Sequence, residues 1–294
     1  MIILLTIFQY LIQAVVDLMD KFLLTSRKIE PVNYTFYTVV TGLVLLVIWP
    51  FNYFRIANEY IWLNLLSGGV FSLAMYVFFR ALAQGDASRV IPYIFGVVPV
   101  FDILISVITG RNPLMINEVS AICLLIPGAM LVSYEKGSLW GKHVALKTIS
   151  ALLFSCYYAL WQFSSQQGPV LNNLMWNRIG AAAILIALLV IPAFRKKVLT
   201  FKNVKHKKSS SVLFLTKQVL GGLNFVFLSF LFVLGKISVI NSLQGFRYIF
   251  VLILGLILSK TRKHLLEEKS NRVVIMQKSF GVILIFIGAS LLFI

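Results

Sequence analysis

One arginine sits where an apolar run should exclude it. In NSLQGFRYIFVLILG, Asn241 to Gly255, Arg247 precedes a long apolar run, and no charged residue comes before it back to Lys236. A guanidinium keeps its proton and presents its donors as a planar fork. It therefore either holds an anionic group of a solute or pairs with a carboxylate. Asp102, just beyond the centre of another apolar run, is the carboxylate expected opposite it in the second case. Both roles stand open on sequence alone.

Other polar residues share this kind of setting. Gln244 and Tyr248 flank Arg247, and Asn241 shares a face with Tyr248 by heptad spacing. Gln9, Gln13 and Asp17 stack at i, i+4 and i+8. Asn224, the neighbours Asn177 and Arg178, and Gln162 fall in three further runs, while Tyr93 and Tyr37 add hydroxyls. Polar side chains far from the ends of an apolar span face the protein interior or water. The candidate substrate-binding set is thus Arg247, Gln244, Tyr248, Asn224, Asp102, Arg178, Gln162, Gln13, Asp17 and Tyr93. Each uncharged member also has a plainer reading as interhelical hydrogen-bonding, contributing about 0.6 kcal/mol on average. Should solute movement be coupled to protons, Asp102 or Asp17 carries them, because an arginine does not release its own. Asp20, Lys21, Lys217 and Lys278 lie nearer the ends of their runs and are expected to snorkel toward the interface.

These residues need elements to position them, and composition names the solvent. Hydrophobic residues make up 59% of the 294, charged residues only 13%, and the mean hydropathy is +0.90. Soluble domains carry about 25% charged residues, so a lipid bilayer is the expected surroundings. Apolar runs near the ~20 residues that span hydrocarbon occur at Ile2–Leu24, Asn33–Phe54, Tyr60–Ala83, Arg89–Ile108, Leu114–Tyr134, Lys147–Ser165, Leu171–Ala193, Val212–Gly235, Ser238–Ser259 and Val273–Ile294. That predicts an all-α membrane protein of about ten transmembrane helices, since lipid satisfies no free backbone amide. The first run has no basic n-region or cleavage site and is read as a mature helix.

The net charge of +17 is gathered in short segments between runs, with no nucleic-acid motif. The richest are Phe194–Ser211 and Lys260–Arg272, which suit anionic lipid head groups or simply set topology. Segments after odd-numbered runs hold most of the Lys and Arg, which predicts extracytoplasmic termini and a plasma (inner) membrane location. Cys123 and Cys156 lie inside apolar runs and form no disulfide framework or metal spacing. No HExxH, GxSxG, Walker or aspartate-rich motif is present, and His143, His206 and His264 all fall in loops. No enzyme, metal or cofactor is expected.

The chain also repeats itself. RALAQGDASRVIPYIFGVVPVFDILISVITG from Arg80 aligns with FLFVLGKISVINSLQGFRYIFVLILGLILSK from Phe230, pairing Gly85 with Gly235, Ser88 with Ser238 and Val90 with Ile240. In the following runs, Ala121 and Gly128, then Gly281 and Gly288, lie seven residues apart, a spacing that allows close helix packing. The predicted units are residues 1–134, a connecting loop 135–146, and residues 147–294. Five helices per unit force opposite orientations, an inverted repeat of the kind found in secondary transporters.

On these features the chain resembles the drug/metabolite transporter superfamily, in its ten-helix EamA-type branch. ALAQGDASRVIPYIFGVVPVF, with Pro92 and Pro99, and SVINSLQGFRYIFVLI carry the likeness. It implies a central cavity lined by helices one to four and six to nine, with helices five and ten as scaffold. It further implies transport of a small organic solute by alternating access, as a monomer or homodimer among membrane lipids. The chain departs from the family pattern in several places. TGRNP, Thr109–Pro113, stands where a glycine–glutamate ending is usual. Thr35–Phe36 replaces an arginine whose second-half equivalent is Arg178, and the charge count reverses the usual cytoplasmic termini. The alternative is a non-transporting membrane scaffold or regulatory protein.

Overall fold

Helix follows helix because each apolar run must satisfy its own backbone. The computed structural model describes residues 2–51, 57–110, 115–134, 143–165, 169–200, 208–234, 240, 243–261 and 272–292. Among them are eleven α-helices, one 3-10 helix and no strand. They are α1 (Ile2–Thr25), α2 (Pro31–Thr41), the 3-10 helix Gly42–Phe51, α3 (Asn58–Gln84), α4 (Ala87–Ile108), α5 (Ile116–Ser133), α6 (Val144–Ser165), α7 (Val170–Leu188), α8 (Pro192–Thr200), α9 (Lys208–Leu234), α10 (Gly245–Thr261) and α11 (Arg272–Leu291). Seven helices are long and apolar enough to cross a membrane, and Pro31–Val47 and Gly245–Leu258 are shorter apolar helices. The expected all-α membrane protein is what the structure shows.

Local chemistry explains the departures from the predicted runs. The second run begins at Pro31, whose fixed φ suits a first helical turn. Beyond Thr41 it tightens into the 3-10 helix, which contains Pro50. The seventh ends at Leu188, and Pro192 opens α8, so part of the expected basic loop 194–211 is helical. The ninth is interrupted: Leu243 and Gln244 form a turn, and α10 starts only at Gly245. Of the expected connecting loop 135–146, residues 135–142 lie outside the described residues and α6 already begins at Val144; Asn241, Gly235 and Ser238 of the repeat also lie outside them.

Small residues set the closest crossings. Gly128 and Gly281 face each other, and a Cβ on Gly281 would stand 2.9 Å from the Gly128 carbonyl. Gly288 lies against Ala121, where its Cβ would be 3.2 Å from the carbonyl. The two seven-residue spacings therefore interlock as α5 packs antiparallel on α11. A tighter crossing went unread in the sequence: Gly68 of α3 lies on the Asn177 carbonyl, and Gly180 of α7 on that of Leu65. Hydrogen bonds lock it, from Ser72 Oγ to the Ala181 carbonyl (2.8 Å), Asn177 Nδ2 to Ser67 Oγ (2.7 Å) and Asn64 Nδ2 to Asn173 Oδ1 (2.8 Å). Ser164 of α6 donates to Asn64 Oδ1 at 2.8 Å and draws a third helix into the same knot.

Charged side chains gather at the opposite ends of these helices. Lys21 Nζ donates to the Leu82 and Gly85 carbonyls at 2.9 Å each, capping the C-terminus of α3. Lys278, fully buried, bonds Asp86 Oδ2 (3.1 Å) and Ser88 Oγ (2.7 Å). Arg89 bonds Asp86 and the Val132 and Tyr134 carbonyls, and Lys147 donates to Ser133. The expectation that Lys21 and Lys278 snorkel is therefore wrong. Helix ends expose carbonyls and Asp86 supplies a carboxylate, so both ammonium groups find partners inside the protein. Across the middle, α1 packs on α9 and α10, and α6 packs on α3 and α4.

Candidate functional site

α1 and α9 run antiparallel and meet at two levels. Asn224 Nδ2 donates to Gln13 Oε1 at 2.8 Å. Seven residues further along α1 and seven back along α9, Lys217 Nζ pairs with Asp20 Oδ1 at 2.7 Å. Seven residues are two helical turns, so both contacts fall on one seam. Tyr34 of α2 also donates to Asp20, and the Lys217 ammonium lies over the Tyr34 and Phe79 rings. Asp20 and Lys217 were expected to snorkel; both are buried instead, because each is the other's counter-ion.

Between these levels α1 presents Asp17. Gln13 Nε2 donates to its Oδ1 at 3.1 Å. Arg247 Nε and Nη2 donate to Oδ2 and Oδ1 at 2.7 and 2.9 Å, a bidentate fork. Asp17 is 2% and Arg247 8% exposed. The guanidinium also covers the Phe95 ring of α4, 4.4 Å from its centroid. The Arg247–Asp102 pair expected as one alternative is absent: Asp102 accepts a hydrogen bond from Ser155 of α6. Neighbouring helices decide partners, and α10 packs on α1 along the face that bears Asp17.

The interruption in the ninth run shapes this centre. Arg247 lies near the centre of the run Ser238–Ser259, but it occupies the first turn of α10. Its amide bonds the Gln244 carbonyl at 3.0 Å, and half-buried Gln244 stands in the turn. Tyr10 Oη donates to the Ile240 carbonyl at 3.1 Å, occupying an acceptor next to the break. Asp17 thereby faces a helix N-terminus, where a negative charge is favoured. Buried Tyr248 follows Arg247 on α10, and buried Tyr10 lies two turns before Asp17 on α1. On α6, Tyr158 lies one turn after Ser155, which donates to Asp102, and is 40% exposed. Its ring lies against those of Tyr157 and Phe154, with centroids 5.1 and 6.3 Å away.

Five of the ten predicted residues thus form one connected group: Asn224, Gln13, Asp17, Arg247 and its neighbour Tyr248. Asp102 lies seven residues beyond Phe95 on α4, two turns from the level of Arg247. Arg178 is half-buried near the middle of α7, its guanidinium 5.0 Å from the Phe71 ring centroid. The structure does not bring Tyr93 and Gln162 to the group. Tyr93 bonds Thr148 at 2.9 Å beneath the Lys147 ammonium, at the charged ends of the helices. Gln162 is exposed near the C-terminal end of α6.

Residues 1–134 match the EamA-like transporter family. No curated protein matches the chain. The match accords with the drug/metabolite transporter superfamily and with a multi-pass membrane protein that handles small solutes. The EamA-like match covers α1 to α5 and therefore Gln13, Asp17, Asp20, Phe95 and Asp102. Arg247, Lys217 and Asn224 come from beyond it. Sequence reasoning missed Tyr10, Asp20, Lys217, Tyr34, Phe95 and Tyr158 as members of the centre. Two spacings could have found the second pair: Asp20 lies one turn after Asp17, and Lys217 two turns before Asn224.

Proposed function

We propose that the chain is a secondary active transporter that moves a small organic solute by alternating access. The observation that carries this reading is the buried Asp17–Arg247 fork, which ties α1 to an interrupted span. Broken helices and paired intramembrane charges are features of transporter binding sites. In this reading residues 1–134 and 147–294 are the two inverted units. The cross-packing of α1 on α9 and α10, and of α6 on α3 and α4, is what a two-fold exchange of helices would produce. The solute enters beside Tyr158 and competes for the polar groups of the fork, which loosens α1 from α10 and lets the units rock.

Several finer statements belong to the same proposal. The termini are extracytoplasmic in a plasma (inner) membrane, with the basic segments cytoplasmic. Asp17 or Asp102 carries a coupling proton if one is moved. The protein works as a monomer or homodimer, with lipid around it and no cofactor. The test is flux into proteoliposomes over amino acids, nucleosides, sugars and cationic dyes. Saturable flux that Arg247→Met abolishes is expected. Folded protein that carries none of these classes in either direction would instead make the fork a structural strut and overturn the reading.

A further inference from the structure

Among the described residues, the other cations of the helix bundle's interior are engaged. Arg247 holds Asp17, Lys217 holds Asp20, Lys278 and Arg89 hold Asp86, and Lys21 caps α3. Arg178 differs. Among the described residues no carboxylate lies within salt-bridge distance of it, and no carbonyl accepts a hydrogen bond from it. Its stem passes Gly42, where a Cβ would stand 3.5 Å from Arg178 Cδ, and its head covers Phe71. An aromatic face offsets only part of the cost of a guanidinium near a helix centre.

A chain of aromatic rings leads from this charge to Tyr158. The Phe71 ring lies 5.0 Å from that of Tyr157, and the Tyr157 ring 5.1 Å from that of Tyr158. One half-buried, uncompensated cation thus borders an aromatic wall that ends in the 40% exposed Tyr158. We propose that Arg178 docks an oxyanion group, a carboxylate or a phosphate monoester, of a small organic anion at the wall between α3, α6 and α7. The planar fork suits either group. This site rests on the transporter reading and names the class of its solute.

The test is thermal unfolding of the purified chain in detergent at fixed ionic strength. Sodium chloride is replaced stepwise by sodium acetate, sodium benzoate or sodium methyl phosphate, with benzamide as the uncharged control. At least one oxyanion should raise Tm in a saturable way while benzamide does not. Which one does so separates carboxylate from phosphate. Arg178→Gln should remove the shift. Arg178→Lys keeps the charge, loses the fork and serves if the glutamine variant does not fold. It should bind roughly tenfold to a hundredfold more weakly, the value of a charge-assisted hydrogen bond. No shift with any oxyanion, an equal shift with benzamide, or a shift unchanged in either variant would overturn the proposal. Flux separates it from the parent reading. Wild-type flux in Arg178→Gln removes the docking role and leaves a transporter, whereas Arg178-dependent stabilisation without flux leaves the docking site and removes the transporter.

Discussion

The Asp17–Arg247 fork predicts an asymmetric double-mutant cycle. Its two contacts, 2.7 and 2.9 Å, place the charge centres about 4 Å apart. At an effective dielectric of 20 that separation gives about 4 kcal/mol of attraction. Breaking a buried pair by removing one partner costs roughly 3–5 kcal/mol. The two single variants should differ, because a stranded carboxyl can be neutralised by a proton and a stranded guanidinium cannot. Asp17→Asn should therefore destabilise more than Arg247→Met, which keeps a side chain of similar length over Phe95. The double variant should recover most of the loss, since apolar or neutral replacements of a whole buried pair are often close to neutral. Thermal unfolding in detergent measures all four corners, and proteoliposome flux is recorded on the same preparations. In the transport reading the double variant is stable and inactive. A double variant that regains both stability and flux would refute the reasoning, because the pair would then serve packing alone.

Other expectations are more local. Gly180→Leu should prevent folding or cost several kcal/mol, because the Leu65 backbone occupies the space, whereas Gly222→Ala, with nothing within 4 Å, should be silent; yield and Tm distinguish them. Lys217→Met should destabilise by about 3 kcal/mol or more, leaving Asp20 with Tyr34 alone, while exposed Arg272→Ala should stay within about 0.5 kcal/mol in the same unfolding assay. Reporter fusions at Ile294 and after Lys205 should read extracytoplasmic and cytoplasmic respectively. A cytoplasmic signal at Ile294 would reverse the orientation.

Much of the fold was legible because hydropathy acts one helix at a time. A run of about twenty apolar residues has a single stable answer in lipid, and the small-residue spacings at Ala121, Gly128, Gly281 and Gly288 do find one another. The misses come from chemistry inside a run. Pro31 and Pro50 bracket a span that changes helical form at Gly42, and the QG pair at Gln244–Gly245 restarts a helix that the apolar composition reads as continuous. Gly68 with Ser72 and Gly180 with Ala187 also hold small-residue spacings, but both runs contain many small residues, so only the crossing of α3 and α7 shows which of them meet.

The site was legible in kind and misread in pairing, for one physical reason. A buried charge can be recognised on its own helix, since lipid offers it nothing, but its counter-ion belongs to another helix. Arg247 could have met Asp17, Asp20 or Asp102 for all that its own run reveals. The antiparallel seam of α1 and α9 removes that freedom. Gln13–Asn224 and Asp20–Lys217 set its register, and Asp20 is then already satisfied, so Asp17, one turn away, is the carboxylate left to face α10. The same seam explains why Lys217 does not snorkel, since reaching the interface would strand Asp20. Two stacked pairs on one helix therefore fix α1 to α9 through a pair backed by the Tyr34 hydroxyl, and to α10 through a fork at a helix break. Of the two, the second is the contact that the transport reading requires a solute to reach.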